Sequence, residues 1–409
     1  MKEDNMGRNG LNMEYVKSKN RSKFLRLLNN NEVMSRIDVA DTLSLTRATV
    51  TNICSNMIEK GIIIEKGEMK EKKRAGRKKI LIEINYKYKH VLGINIEPDF
   101  TYISISDLKG EIVICKKIKT ISGGKPNDFL DVVASHCNNI IQQANIPKEK
   151  ILGVGITVVG PVDKKKGISK KAYGIWELEI KVRDYFEQKL GYKVVIENNV
   201  KAFVIAQILY GLGREVENFI ALKWGPGVGS DVVINGKLYE GESFKAAEVG
   251  HCIVEPDGKQ CKCGKRGCLE TVISFDNLVK MMKEKFSREK TPGVYESCNG
   301  DLEGISEDNI INFMTYNDPG VIEIVDKVLD IFCLTVANLL SILAPNKIIL
   351  YGRGFEEQMI VNKFIVRCNH YNNAYNKKNI LVSKFKDRIN YIGPISLVVN
   401  EMLFENGGI

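Results

Sequence analysis

Apolar residues recur at helical spacing in the N-terminal part of the chain. A first helix is predicted around the segment NRSKFLRLLNN, and two short helices joined by a tight turn are predicted in MSRIDVADTLSLTRATVTNICSNMIEKG. Val50, Ile53 and Met57 lie at positions i, i+3 and i+7, so they share one face of the last helix. Gly61 follows that helix and suits its C-terminus.

Polar residues mark where the two short helices begin. Ser35 with Asp38 three residues later fits a capping box. Either Ser44 or Thr46 can cap the second of the two helices. These caps fit two short helices joined by a tight turn.

The face of the last helix opposite its apolar residues is polar. Its residues Arg47, Thr49 and Asn52 can donate and accept hydrogen bonds at base edges. Two β-rich runs around a basic tip follow in IIIEKGEMKEKKRAGRKKILIEIN, an order typical of a winged helix-turn-helix. We expect Arg74 and Arg77 of the tip to enter a narrow minor groove. The alternative is a small helical domain with a solvated, lysine-rich hairpin.

From about Lys87 onward the pattern changes to strands that alternate with helices. HVLGINI, FTYISISDL and GEIVICKKIK predict a three-strand meander, and ILGVGITVVGPVD predicts a buried strand ending in a Gly-Pro turn. A long helix is predicted from Val321 to Leu343, before the strand KIILYG. This order predicts an α/β architecture of two lobes, with the turns at the strand ends facing a shared cleft.

The composition is that of an ordinary soluble protein, with 44% hydrophobic and 27% charged residues. The longest apolar run, Ile331 to Pro345, is interrupted by polar residues and is too short to cross about 30 Å of hydrocarbon. The N-terminus has no apolar region typical of a secretion signal. We therefore expect a cytoplasmic protein without membrane contact.

Positive charge is concentrated near the N-terminus. Residues 1–85 hold 18 Lys and Arg against 11 Asp and Glu, an excess of 7 out of a net charge of +10. Such an excess in one part of a chain indicates an acidic partner for that part, most commonly nucleic acid.

The segment EVGHCIVEPDGKQCKCGKRGCLET contains a candidate metal site. Cys261, Cys263 and Cys268 have the spacing C-x-C-x4-C, and His251 lies ten positions before the first of them. Three thiolates and one imidazole form a closed tetrahedral set for Zn²⁺ that leaves no position for water, so the expected role is structural. The alternative is a reduced cysteine loop without metal, because a cytoplasmic chain keeps its thiols reduced.

Several segments together resemble the ROK family, which groups sugar-responsive repressors with sugar kinases. They are ITVVGPVD, IENNVKAFVIAQ, GPGVGSDVVINGKLYEG, AAEVGH, CKCGKRGCLE and APNKIILYGRG, in the order found in the family. The resemblance implies an actin-like, two-lobed sugar-kinase (ribonuclease H-like) fold that binds a monosaccharide between the lobes. The expected organisation begins with a winged helix-turn-helix domain at 1–85. A first lobe follows at 86–200 and is completed by a C-terminal helix at 395–409. The second lobe, at 201–394, carries the zinc loop and a dimerisation surface.

The positions that match the kinase motifs of the family depart from them. The first phosphate hairpin reads Asn95, Glu97, Pro98 and Asp99, where proline has no N–H to donate and the carboxylates would repel a triphosphate. In the second hairpin, Pro226 and Asp231 replace a threonine and a glycine of the kinase motif. Asn199 stands where the kinases have an aspartate that accepts the proton of the attacking sugar hydroxyl. We therefore expect no ATP binding and no enzyme activity.

The resemblance also implies a sugar site. Carboxylates and amides suit this site because each can bind a pair of vicinal hydroxyls. For the two asparagines the alternative role is to cap a strand-to-helix turn. The residues that match the sugar contacts of the family are Gly160, Asn198, Asn199, Glu248, His251 and Glu270.

The sequence thus predicts a sugar-responsive transcriptional repressor of carbohydrate metabolism genes, such as those for xylose. It would bind double-stranded operator DNA as a homodimer or tetramer, because one winged helix reads too few base pairs. The effector could be xylose, glucose, fructose or N-acetylglucosamine, which differ by single groups. The alternatives are an active ROK-type sugar kinase with a DNA-binding domain and a transcription factor whose cleft binds another protein or nothing.

Overall fold

The computed structural model describes residues 13–68, 80–242 and 246–408 of the 409-residue chain. The two arginines of the predicted basic tip, Arg74 and Arg77, lie outside the described residues. Within the described ranges, no helix has the length and apolar character needed to cross a membrane.

The N-terminal unit, described at residues 13–68 and 80–84, contains three helices and a small antiparallel sheet in these ranges. The helices are α1 (Met13–Asn31), α2 (Arg36–Leu43) and α3 (Arg47–Glu59), and the strands are β1 (Val33–Ser35), β2 (Ile63–Glu68) and β3 (Ile80–Ile84). The strand order is β1-β3-β2. Val50, Ile53 and Met57 of α3 are buried, as their spacing predicts.

Side-chain caps begin the second and third helices. Ser35 accepts a hydrogen bond from the main-chain N–H of Asp38 and donates to the Asp38 carboxylate at 2.7 Å, which confirms the predicted capping pair. Of the two residues predicted to cap α3, Thr46 accepts the bond from the Thr49 N–H. Ser44 instead ends α2 in a left-handed conformation. The tight turn between the helices therefore uses both residues, one for each helix.

The first lobe is built on a five-stranded mixed sheet of order β10-β7-β4-β5-β6. Strand β4 pairs antiparallel with β5 and parallel with β7, and β7 pairs parallel with β10. The predicted meander of three strands is therefore present. The elements of this lobe are β4 (His90–Ile96), β5 (Phe100–Asp107), β6 (Ile112–Lys119), α4 (Pro126–Ala144), β7 (Ile151–Val158), a hairpin of β8 (Val162–Asp163) and β9 (Ile168–Ser169), α5 (Val182–Leu190) and β10 (Val194–Asn198).

The second lobe follows helix α6 (Asn199–Tyr210) and is built on a sheet of order β13-β12-β11-β14-β15. Its strands are β11 (Phe219–Trp224), β12 (Val228–Ile234), β13 (Lys237–Leu238), β14 (Lys347–Tyr351) and β15 (Ile380–Val382). Its helices are α7 (Leu269–Ile273), α8 (Phe275–Lys285), α9 (Pro292–Ser297), α10 (Ile310–Phe313), α11 (Pro319–Leu343) and α12 (Gln358–Tyr371). The long helix expected before the strand KIILYG is α11.

The C-terminal segment returns to the first lobe. Helix α13 (Ile392–Val398) packs against α6, β4 and β7, and the π-helical turn Val399–Glu405 continues from it. Gly155 of β7 allows this approach, because a Cβ at that position would lie 1.8 Å from the carbonyl oxygen of Pro394. The same π-helical turn contacts α1, where the Arg26 guanidinium donates to Asn400 at 3.0 Å. The predicted domain limits at residues 85, 200 and 394 stay predictions.

Candidate functional site between the lobes

Gly160 and Asn198 lie where two parallel strands of the first sheet end. Gly160 follows β7 with a φ of +85°, and a Cβ there would lie 2.5 Å from the carbonyl oxygen of Lys171, so only glycine fits. The amide of Asn198 donates to the Gly160 carbonyl at 2.9 Å. The turns after β7 and β10 are therefore joined directly, at the edge of the sheet where ligands of α/β proteins commonly bind.

Asn198 also caps α6. Its side-chain oxygen accepts from the N–H groups of Val200 at 2.8 Å and Lys201 at 3.3 Å. This is the capping role that the sequence offered as the alternative to sugar contact. The cap fixes the entry of α6, so it determines where the next residue, Asn199, presents its side chain.

Asn199 takes part in a contact between the two lobes. Its amide donates to Glu97 Oε1 at 2.7 Å, and Lys223 Nζ lies 2.9 and 3.0 Å from the two oxygens of that carboxylate. Glu97 follows β4 in the first lobe, whereas Lys223 is on β11 in the second. The side chains of Lys223 and Glu97 are only 19% and 20% exposed, so water screens their attraction less than at the surface.

Lys223 is not among the residues that the sequence predicts for the site. A signal was present, because Lys223 is the charged residue of an otherwise apolar strand, FIALKW. A charge at such a position is rarely buried without a partner. The partner, Glu97, could not be identified from the pattern, because the two residues are 126 positions apart.

The other three predicted sugar residues come from the second lobe. Glu248 precedes a short 3₁₀ turn, Val249–His251, which ends at His251, and Glu270 lies in the first turn of α7. The Glu270 carboxylate accepts from the main-chain N–H of Val228 at 2.9 Å, which ties it to the glycine-rich turn before β12. The turn and the carboxylate thus position each other, and one oxygen of Glu270 is committed to the main chain.

The two hairpins that match the kinase phosphate motifs are occupied by internal contacts. Asn95 is buried, where its amide donates to the Asn390 carbonyl at 3.1 Å and its oxygen accepts from Thr157 at 2.8 Å. Asp231 of the second hairpin is 2% exposed, and burial raises its pKa to about 7. In this conformation both side chains are buried within the protein.

The candidate metal site is a compact cluster. The ligand atoms of His251, Cys261, Cys263 and Cys268 all lie within 4.8 Å of one another. Cys261 Sγ is 3.6 Å from His251 Nδ1, and Cys263 Sγ is 3.7 Å from Cys268 Sγ. In a tetrahedral zinc site, bond lengths of about 2.3 Å to sulfur and about 2.1 Å to nitrogen place two sulfurs about 3.8 Å apart and a sulfur and a nitrogen about 3.6 Å apart. These four residues therefore fit a tetrahedral metal.

The loop backbone is shaped for this cluster. Gly267 has a φ of +65°, and a Cβ there would lie 1.5 Å from the carbonyl oxygen of Glu255, so the chain passes too close for any side chain. The Cys261 N–H donates to the Lys265 carbonyl at 2.8 Å, which closes the turn that contains Cys263. Burial raises the pKa of the Cys268 thiol to about 12, and the neighbouring thiols of Cys263 and Cys261 add to this effect. A metal would replace the protons that these thiols otherwise hold.

The surface of α3 presents the predicted base-reading residues. Arg47 and Asn52 are exposed, while Thr49 is half-buried and its hydroxyl lies 2.8 Å from that of Thr46. The helix therefore offers a guanidinium and an amide to a partner, on the face opposite the buried Val50 and Ile53.

Comparison with known proteins identifies the family. The model of the ROK family matches residues 91–401. This chain belongs to the ROK family. It is 27% identical over 404 residues to the xylose repressor of Caldicellulosiruptor bescii, covering 96% of this chain and 98% of that protein.

Two solved structures show the same fold. The crystal structure of a ROK family transcriptional regulator, a homolog of the Escherichia coli MLC protein, has a TM-score of 0.77 at 22% identity, with 96% of this chain and 97% of that chain covered. The ROK family glucokinase from Streptomyces griseus, in complex with glucose and AMPPNP, has a TM-score of 0.65 at 24% identity and covers 75% of this chain and 98% of its own. The α/β fold class and the family resemblance predicted from the sequence are confirmed.

Proposed function

We propose that this ROK family protein is a sugar-responsive, DNA-binding transcriptional regulator, and specifically a repressor of carbohydrate metabolism genes. The extent of the similarity carries this proposal. The glucokinase aligns over 98% of its own length with only 75% of this chain, whereas the xylose repressor aligns from end to end, with 96% of this chain and 98% of its own length. The family model likewise matches only from residue 91 onward, after the N-terminal unit.

The N-terminal unit is the proposed DNA-binding domain, a winged helix-turn-helix. Helix α3 would enter the major groove and present Arg47, Thr49 and Asn52, and the basic tip with Arg74 and Arg77 would contact the minor groove. The order of α2, α3 and an antiparallel sheet supports this assignment. A homodimer or tetramer in the cytoplasm would place two such helices on a two-fold symmetric operator.

The lobes are proposed to bind a monosaccharide without phosphorylating it. The position of the kinase aspartate is occupied by Asn199, whose amide already donates to Glu97. The Glu97 carboxylate also stands in the first phosphate hairpin, where it is paired with Lys223 rather than open to a nucleotide. Gly160, Asn198, Asn199, Glu248, His251 and Glu270 are the proposed sugar contacts.

The proposed cofactor is a structural Zn²⁺ held by His251, Cys261, Cys263 and Cys268. Nδ1 of His251 is directed at the cluster, since it lies 3.6 Å from Cys261 Sγ. Binding a metal there would fix the tautomer of the imidazole and leave the Nε2–H as a donor for a sugar hydroxyl. The metal would supply no chemistry beyond holding the loop between Glu248 and Glu270.

Operator binding with and without sugars tests the proposal. Operator fragments are selected from genomic DNA with the full-length protein, and their affinity is measured at fixed salt with xylose, glucose, fructose and N-acetylglucosamine. We expect at least one sugar to change the affinity severalfold, and we expect Arg47→Ala to weaken operator binding without altering sugar binding. No change with any sugar would contradict the effector role, and steady ADP release in a coupled assay would favour the kinase.

A further inference from the structure

Tyr173 stands at the tip of a tight turn that extends from the first lobe towards the metal loop. Two hydrogen bonds between Ala172 and Trp176, both of 3.0 Å, close the turn. The indole N–H of Trp176 donates to the Ser169 hydroxyl at 3.1 Å, and the side chains of Ala172 and Trp176 are 0% and 4% exposed. The base of the turn is thus part of the lobe core, so the position of Tyr173 is fixed.

The surroundings of Tyr173 are residues of the predicted sugar site. Its ring lies edge-on to the His251 ring, with 5.8 Å between centroids and an angle of 80°. The ring also lies next to Gly160, because a Cβ atom added to Gly160 would be 3.4 Å from Cδ2 of Tyr173. The side chain remains partly exposed, so one surface is available to a ligand.

The same turn touches the second lobe on both sides of Tyr173. Lys171 Nζ donates to the Lys262 carbonyl, in the metal loop, at 3.3 Å. A Cβ on Gly174 would lie 3.8 Å from Pro98 and 3.9 Å from Lys262 Nζ. The turn therefore meets the metal loop at Lys262 from both sides of Tyr173.

The predicted sugar site has many groups that can form hydrogen bonds with sugar hydroxyls, but it has little apolar surface. Of its six residues, only the imidazole of His251 offers a ring. The amides of Asn198 and Asn199 already donate to Gly160 and Glu97. Small-molecule sites typically combine a few polar groups with an aromatic or apolar wall, because the wall excludes water from the hydrogen bonds.

We propose that Tyr173 is a sugar-contacting residue, whose ring packs against a C–H face of the monosaccharide while Glu248, His251 and Glu270 bind its hydroxyls. This inference rests on the proposed function, in which a sugar binds between the lobes. An aromatic ring presents a negative face that attracts polarised C–H groups. The effector is therefore a ring-form sugar with hydroxyls directed outward from one C–H face, and an axial hydroxyl on that face lowers its affinity.

Calorimetric titration of the full-length protein tests the contact. The probes are xylose, glucose, fructose and N-acetylglucosamine, and zinc content is measured for every variant to verify the metal loop. For the sugar that binds wild type, Tyr173→Ala weakens binding about tenfold or more, a change of about 1.4 kcal/mol. Tyr173→Phe keeps the ring face and stays within about threefold of wild type, a change below 1 kcal/mol. Tyr192→Ala, which removes a half-buried tyrosine elsewhere in the first lobe, is the matched control.

The possible outcomes separate this inference from the proposed function. If wild type binds none of the sugars, the proposed function is wrong and the role of Tyr173 is wrong with it. If wild type binds a sugar and Tyr173→Ala binds it equally well, the proposed function stands and the contact is wrong. If Tyr173→Ala loses zinc, the sugar affinity of Tyr173→Leu is measured instead, because leucine fills the space of the ring without an aromatic face. Wild-type sugar affinity in Tyr173→Leu overturns the inference.

Discussion

The side-chain amide of Asn29 donates a hydrogen bond of 2.8 Å to the main-chain carbonyl of Leu209, which joins α1 to the end of α6. Arg214 strengthens this junction, since its guanidinium donates to the carbonyls of Asn29 at 2.5 Å and Asn30 at 2.7 Å. These carbonyls end α1, where a helix leaves acceptors unpaired and favours a positive charge. Because α6 begins at Asn199, a single helix connects the candidate sugar site to the N-terminal unit.

Arg214→Ala is expected to loosen the N-terminal unit from the lobes. The variant leaves carbonyls at the end of α1 without their charged donor, which costs about 1 to 3 kcal/mol of unfolding free energy. Hydrogen exchange should become faster in the last turn of α1, and the sugar-dependent change in operator affinity should shrink. Lys17→Ala, on the exposed part of α1, is the control. Unchanged exchange in α1 would show that Arg214 does not hold the junction.

Asn199→Asp is expected to destabilise the protein without restoring phosphoryl transfer. The substitution replaces an amide that donates to Glu97 at 2.7 Å by a second carboxylate, so two like charges share one Lys223. We expect a loss of about 1 to 2 kcal/mol at neutral pH and no release of ADP with any sugar. Urea unfolding and a coupled ADP assay measure the two effects.

A double variant isolates the cause. Adding Glu97→Gln to Asn199→Asp removes the repulsion and should recover most of the lost stability, which a double-mutant cycle quantifies. Sustained ADP release by Asn199→Asp would instead mean that one residue alone separates this cleft from a kinase.

The sequence predicted the parts of the site that depend on local spacing. The ligands of the metal cluster follow from C-x-C-x4-C and a nearby histidine, and the structure brings all four together. The buried face of α3 follows from helical periodicity, with Val50 and Met57 in the core of the N-terminal unit. In both cases the residues that meet are close along the chain, so the local backbone alone brings them together.

Contacts between the lobes could not be predicted in the same way. The pairing of Lys223 with Glu97 depends on how two separate sheets approach each other, and no periodicity encodes that approach. Tyr173 carried even less signal, because a tyrosine in an irregular turn has no preferred partner. The contact between Tyr173 and His251 exists because the turn after β9 and the metal loop meet across the cleft.

His251→Ala and Glu248→Ala are expected to separate the metal site from the sugar site. Loss of His251 removes one of four ligands, so zinc content and sugar response should fall together. Glu248→Ala should keep full zinc and lose the sugar response alone. Metal analysis and calorimetric sugar titration measure the two properties. Cys252→Ser, an exposed cysteine next to His251, is the control and should change neither. Zinc loss in Glu248→Ala would assign the carboxylate to the metal loop.

Asp231 is an ionisable group in the interior of the second lobe. It lies on β12, where the Val232 N–H donates to its Oδ1 at 3.0 Å. Its pKa is raised from 3.8 to about 7, mainly by burial and in smaller part by the nearby carboxylates of Glu197 and Glu248, while Lys201 and the Val232 N–H oppose the rise. The folded state therefore holds a proton on Asp231 at pH values where the unfolded chain has released it, so the group lowers stability as the pH rises from about 4 to about 7.

Asp231→Asn is expected to stabilise the protein more at pH 8 than at pH 5. The amide oxygen can still accept from Val232, and no charge remains to be buried. The difference in unfolding free energy between variant and wild type should widen by about 1 to 3 kcal/mol between these pH values. Urea unfolding at both pH values measures it, with the exposed Asp276→Asn as the control. An equal effect of Asp231→Asn at pH 5 and pH 8 would mean that Asp231 is already ionised in the folded protein at pH 5, stabilised by Lys201.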